Sequence, residues 1–238
     1  MIEGVLVVDK PGGMTSHDVV ATVKRRLGAK KVGHLGTLDP LATGVLPLVI
    51  NRATKFATVF QGGVKEYIAS MKLGEATDTY DAQGKVVASH SIDNITKEDI
   101  ERVLMGFLGT IDQVPPMFSA VKRGGVPLYK LARAGVVVER EPKQVEIFEL
   151  EILNIEMPQV EFRVAASRGT YVRSICHDAG EQLGVGAHLV TLKRTRSGSF
   201  TIKDAVELNL KRQDLISAVM PLDELLESVK HEAKQVVL

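Results

Sequence analysis

The chain has 238 residues, 45% hydrophobic and 25% charged, which is enough apolar material for a sizeable core and too much for a disordered chain. Thirty Lys and Arg against 29 Asp and Glu leave a formal charge of +1, so any nucleic-acid binding must rest on local basic patches. A single cysteine, Cys176, excludes an intramolecular disulfide and a C-x-x-C zinc pair. With no signal-like N-terminus and no apolar run of about eighteen residues, a cytoplasmic chain away from membranes is expected.

Val5 to Val8 predicts a short buried strand, ended by the turn formers Asp9-Lys10-Pro11-Gly12-Gly13. A helix follows: Thr15 or Ser16 caps it, Val19, Val20, Val23 and Leu27 recur at helical spacing, and Gly28 sits at its end. Lys24, Arg25, Arg26, Lys30 and Lys31 cluster there, either as cations at a helix C-terminus or as a phosphate-binding patch. Next comes Gly33 to Leu48 (G-H-L-G-T-L-D-P-L-A-T-G-V-L-P-L), where Asp39 is a lone carboxylate among glycines and apolar residues. Asp39-Pro40 suits an N-cap and first turn, predicting a helix with register Leu41, Val45, Leu48; the competing reading is a loop that presents the carboxylate. Neither G-x-x-x-x-G-K-[ST] nor G-x-G-x-x-G is present, so a nucleotide cradle is not indicated.

Lys65 to Leu73 alternates, with Tyr67, Ala69, Met71 and Leu73 on one face of a predicted strand. Thr77 to Gly84 is a turn, in which Asp78 and Asp81 are structural rather than metal ligands. Thr96 with Asp99 opens a helix whose stripe is Ile100, Val103, Leu104, Phe107 and Leu108, before Gly109. Paired Pro115 and Pro116 make 113–125 an extended loop, and a short helix through Leu128, Leu131 and Ala132 ends at Gly135. Val145 to Ile152 predicts a strand with a bulge at Ile147-Phe148, antiparallel to a second strand over Val160 to Ala166. Ser167 to Arg173 turns into a helix that Gly184 ends. Arg173 lies near its start, where a cation opposes the dipole, so an anionic partner is expected, either a local carboxylate or Asp39. Gly186 to Gly198 carries a basic run suited to phosphate contact or to a solvated strand face, and Leu208 to Leu238 predicts Glu- and Lys-rich helices.

These residues alone indicate an α+β protein with basic loops. Four stretches in the same order carry a further resemblance over about residues 4 to 200: G-V-L-V-V-D-K-P-G-G-M-T-S, G-H-L-G-T-L-D-P-L-A-T-G-V-L-P, K-E-Y with L-G-E-A-T-D-T-Y-D, and R-G-T-Y-V-R-S with G-A-H-L-V-T-L-K-R. The chain resembles the TruB family of tRNA pseudouridine synthases. The resemblance implies the pseudouridine synthase fold, a mixed and largely antiparallel sheet flanked by helices and RNA-binding loops. It also implies isomerisation of the T-loop uridine at tRNA position 55, by base flipping and without cofactor or metal. Asp39 matches the catalytic aspartate, Tyr67 the tyrosine stacking on the base, and Arg173 the arginine that pairs with the aspartate and keeps it ionised. Leu192 matches a pocket-lining residue; His34, with Gly36 and Thr37 of the same loop, matches the substrate-binding positions. The expected partner is tRNA through its T-loop and T-stem, with the protein a monomer. Expected domains are a catalytic domain over 1–205 and a helical segment over 206–238 without a full PUA domain. Leu35, Asn51 and Lys193 depart from the family pattern, which has a small polar residue, a glycine and an arginine there. Two other classes compete: a non-catalytic tRNA-binding or tRNA-folding factor, and a hydrolase, which would need a second carboxylate.

Overall fold

The computed structural model describes residues 2–235, with side chains described through Val229. The chain separates into two compact units, Met1–Lys65 with Lys193–Leu238, and Glu66–Leu192. The expected catalytic segment 1–205 thus contributes to both. Of the expected tail segment, residues 236–238 lie outside the described residues.

The first unit opens with β1 (Gly4–Lys10), buried along nearly its whole length. Helix α1 (Ser16–Leu27) forms as its sequence predicts. Thr15 is the N-cap in a capping box with Asp18, Gly28 adopts a left-handed C-cap, and Ser16, Val19, Val20, Val23 and Leu27 are buried. After β2 (Val32–His34) the chain passes through the Asp39 loop into β3 (Thr43–Ile50). The helix expected from Asp39 is absent. Val45 to Ile50 is buried on both faces, paired antiparallel with β1 from Gly4↔Ile50 to Lys10↔Gly44 and with β2 on its other side. A continuous apolar run satisfies helical and buried-strand periodicity alike, and the flanking strands decide between them. Asn51 then starts a 3-10 turn over Asn51–Phe56 at φ 52, a conformation asparagine tolerates. Its side chain accepts from the Lys30 and Lys31 amides and donates to the Ile2 carbonyl. The short α2 (Ala57–Phe60) follows.

The second unit begins on β4 (Lys65–Leu73), whose alternating burial puts Tyr67, Ala69, Met71 and Leu73 inward as the pattern predicts. A small hairpin, β5 (Glu75–Thr77) with β6 (Val86–Ser89), leads to α3 (Lys97–Met105), capped by Thr96 and Asp99. That helix stops sooner than its stripe suggested. Phe107 is buried beyond it, whereas Leu108 is exposed before β7 (Gly109–Gln113). Strands β8 (Lys122–Arg123) and β9 (Val126–Pro127) form a hairpin that begins inside the expected loop 113–125 and ends just beyond it, and α4 (Leu128–Arg133) follows. The long β10 (Lys143–Glu156) pairs antiparallel with β11 (Gln159–Ala166), its register shifting between Ile147 and Glu149 where a bulge was predicted. Helix α5 (Val172–Gln182) and β12 (Ala187–Ser197) complete the unit, whose sheet runs β12-β4-β11-β10-β7.

From Lys193 the chain belongs again to the first unit. There β12 pairs parallel with β3 at Lys193↔Thr43 and Arg194↔Gly44, then antiparallel with β13 (Phe200–Thr201). The tail is not helical throughout. Strand β14 (Val206–Glu207) pairs parallel with β1, α6 (Arg212–Ser217) intervenes, and β15 (Met220–Pro221) pairs antiparallel with β1 before α7 (Leu222–Gln235). Val5, Val7, Leu35, Val45, Val49, Phe60, Phe200 and Leu222 form one apolar cluster, so residues from both segments build the core of this unit. Each large apolar side chain buried there contributes about 1.5–3 kcal/mol.

Candidate active site

The Asp39 loop joins β2 to β3, and its backbone is fastened on every side. Leu35 and Leu38 point inward and are buried. The buried Ser16 hydroxyl donates to the Leu38 carbonyl at 3.0 Å and accepts from the Leu38 amide at 2.8 Å. Asp39 and Pro40 enter a tight turn in which the Ala42 amide donates to the Asp39 carbonyl, while the Gly13 amide donates to Pro40. Two buried cations hold the remaining carbonyls. Lys10 Nζ donates to Pro11, to Met14 and, at 3.3 Å, to Pro40; Arg194 donates to Gly36, Thr37 and Val45. Asp39 is therefore carried by a loop whose shape is set before any ligand arrives.

The electrostatics follow from burial. Lys10 is wholly inaccessible, and burial lowers its pKa to about 8, against the charges of Asp39 and Asp18, which pull it up; Arg194 adds to the lowering. His34, half-buried at the end of β2, is held below the ordinary imidazole range, first by burial and then by Arg194 and His17. Its Nδ1 accepts from the Gly36 amide at 3.3 Å, which helps fix the loop's first turn. Neutral His34 is thus a hydrogen-bonding group in this unit. Gly36, at φ 143, is partly accessible, and Thr37 is exposed beside Asp39.

In the second unit Tyr67 lies near the start of β4 on the inward face, 8% exposed. Arg173 occupies the first turn of α5 and is almost completely buried. Its guanidinium donates to the Thr79 carbonyl at 3.1 Å and the Phe118 carbonyl at 2.9 Å, and stands 3.6 Å from an Asp81 carboxylate oxygen. The anion facing the helix start includes Asp81, a buried carboxylate far earlier in the chain rather than a local one. Asp81 is itself fixed, accepting from the Thr79 hydroxyl and the Gln83 amide. The turn into α5 is pinned by Gln113, which exchanges two hydrogen bonds with Tyr171. Tyr80, at φ 66, stacks on His177 at 3.7 Å between ring centroids, so one face of α5 meets the 77–82 turn at both Arg173 and His177. Leu192 is buried in β12.

Lys10 and Arg194, which sequence reasoning did not single out, emerge here, together with a contact to Arg173 for Asp81, which it read only as structural. Lys10 and Asp81 lie within the matched motifs, so the signal was present. Arg194 was hidden in a basic run read as phosphate contact or solvated face. The structure corrects both readings for that residue, which is 1% exposed, whereas neighbouring Lys193 is exposed. The basic cluster ending α1 divides similarly: Arg26 turns inward to the Leu208 and Leu210 carbonyls, while Lys24 and Arg25 face solvent.

Known proteins give the same picture. The model of the TruB family pseudouridylate synthase N-terminal domain matches residues 24–172, and that of the tRNA pseudouridylate synthase B C-terminal domain matches residues 173–228. Among solved structures, a chain of a Cbf5-Nop10-Gar1 complex superposes with a TM-score of 0.70 at 34% identity, covering 92% of this chain. The present chain spans 60% of that one. The fold is therefore that of a pseudouridine synthase. Curated relatives called tRNA pseudouridine synthase B include one from Syntrophotalea carbinolica, 47% identical over 98% of this chain and 76% of the relative. Another, from Geotalea uraniireducens, is 51% identical over 87% of this chain and 67% of the relative. The chain belongs to the TruB family of pseudouridylate synthases, which are isomerases. Nothing in these comparisons favours a non-catalytic factor.

Proposed function

We propose that this protein converts the T-loop uridine at tRNA position 55 to pseudouridine, acting as a cytoplasmic monomer without cofactor or metal. The observation that carries the reading is the fastened loop: hydrogen bonds to residues 36, 37, 38 and 40 fix the backbone on both sides of Asp39. A carboxylate held in this way can serve a reaction that breaks N1–C1′, turns the uracil, forms C5–C1′ and releases the C5 proton. Asp39 can enter as a nucleophile at C1′ or C6, or take the 2′ proton to give a glycal, and it offsets positive charge developing on the ribose.

The uridine lies in a folded loop and must leave its stack, so a stacking surface and polar contacts have to replace what it loses. In this reading Tyr67 stacks on the base, Leu192 lines its pocket, and Arg173 orients the Asp39 carboxylate. His34, Gly36 and Thr37 position the RNA. The catalytic segment is 1–205 and the 206–238 segment supports it. The buried, firmly hydrogen-bonded guanidinium of Arg173 and the inward-facing Tyr67 support these assignments.

The test is pseudouridine mapping on an unmodified tRNA transcript. Asp39→Asn should abolish product while tRNA binding stays within about tenfold of wild type. Tyr67→Phe should be milder than Tyr67→Ala, because stacking survives loss of the hydroxyl. Turnover by Asp39→Asn would sink the assignment, and release of free uracil would mark a hydrolase instead.

A further inference from the structure

The proposed chemistry makes no use of Arg194, yet three observations meet on it. First, its side chain is 1% exposed, and a charge so enclosed is tolerated only when its donors are satisfied. Second, those donors go to the Asp39 loop and its continuation. Nε donates to the Val45 carbonyl at 2.7 Å, Nη2 to Gly36 at 3.1 Å and Nη1 to Thr37 at 3.4 Å, so one planar group grips the loop before and after Asp39. Third, Gly44 is fitted to the backbone of this residue. A Cβ on Gly44, at φ 97, would lie 2.2 Å from the Arg194 carbonyl oxygen. The parallel pairing Arg194↔Gly44 is what turns the side chain inward, while Lys193 one residue earlier faces solvent.

We propose that Arg194 is a positioning residue for the isomerisation: its guanidinium fixes the backbone of Gly36, Thr37 and Val45, and thereby the point from which Asp39 meets the ribose. It acts through the loop, since its burial keeps it from the RNA. The proposal rests on the reading of Asp39 as the catalytic carboxylate. Displacing a catalytic group by about 1 Å is enough to cost roughly 10²-fold in rate. Lysine does not substitute, because a compact ammonium on a flexible stem lacks the planar fork that spans three carbonyls.

Arg194→Lys tests this, with Ser16→Ala as a second variant that loosens the same loop at Leu38 and keeps every cation. Three quantities are measured for each: the single-turnover rate of pseudouridine formation on a tRNA transcript, the Kd for that transcript, and amide hydrogen exchange over residues 35–42. Arg194→Lys should lose about 10²-fold in rate with Kd within about threefold of wild type, and exchange should quicken in that segment. Ser16→Ala should lose about tenfold with the same exchange signature. A rate within threefold of wild type, a rate loss matched by a loss of binding, or unchanged exchange in Arg194→Lys overturns the proposal. Should Arg194→Lys fail to fold, Ser16→Ala decides: quickened loop exchange with undiminished rate would mean that loop position does not govern the reaction. If the wild-type protein forms no pseudouridine, the reading of Asp39 fails, and the exchange measurement alone then judges whether Arg194 holds the loop.

Discussion

Gly44→Ala should destabilise the protein severely, and the expected size comes from two separable terms. The residue sits at φ 97, where an L side chain is strained, which costs about 1–3 kcal/mol. Its new Cβ would also lie 2.2 Å from the Arg194 carbonyl oxygen and 3.0 Å from the Arg194 amide nitrogen. Those are backbone atoms of a paired strand, so relief requires β3 and β12 to part at Arg194↔Gly44, stretching the 2.7 Å bond from Arg194 to Val45. Overpacking of this kind adds about 1–3 kcal/mol. The total, about 2–6 kcal/mol, is a large share of the roughly 5–15 kcal/mol that holds such a protein folded. Urea unfolding followed by far-UV circular dichroism measures it as a fall in midpoint at constant slope. Gly13→Ala provides the control, because Gly13 has φ 81 but nothing within 4 Å of a Cβ, so only strain is felt. A Gly44→Ala loss under about 1 kcal/mol, or one no greater than that of Gly13→Ala, would refute the steric argument.

Two further predictions concern other parts of the first unit. Lys65 is buried with Nζ on the Ser197 hydroxyl, and burial, then Arg194, lowers its pKa to about 8. Below about pH 8 both folded and unfolded chains carry the proton and the full penalty stands. Between there and the ordinary lysine value of 10.5 the folded state binds fewer protons, so stability rises with pH by at most about 1.4 kcal/mol per unit. Relative to Lys65→Met, wild type should therefore gain stability across that window in chemical denaturation, and a flat difference would count against the burial argument. Thr15→Ala removes the side-chain half of the α1 capping box and should cost about 1 kcal/mol in unfolding free energy, with no change in loop 35–42 exchange.

Local rules were sufficient where an element carries its own start, stop and period. A Thr15 or Ser16 cap with Gly28 at the end announces α1, Thr96 with Asp99 announces α3, and the alternation from Lys65 to Leu73 announces β4 with Tyr67 on its inward face. They failed where partners distant in the chain decide. Val45 to Ile50 is apolar at every spacing, so only pairing with β1 and β2 makes it a strand and denies Asp39 the role of helix cap. Arg194 stands in a basic run with the same composition whether it faces inward or outward. The strand register sends it inward, and that register involves residues about 150 positions earlier in the chain. Asp81 and Arg173 are likewise far apart in sequence, and the dipole argument predicted an anion without saying which. Resemblance across four motifs, rather than any local rule, singled out Asp39.

The first unit is assembled from two stretches of chain separated by residues 66–192, and this orders the events of synthesis. Lys10 and Ser16 leave the ribosome ahead of the loop they hold, but Arg194 is made 149 residues after Val45. At about 5–20 residues per second, roughly 7–30 s pass in which β1 and β2 can already pair with β3 but Thr43 and Gly44 lack their parallel neighbour and Gly44 faces no carbonyl. Throughout that interval the start of β3 is an unpaired edge, and the aspartate loop acquires its last support only when the returning strand docks.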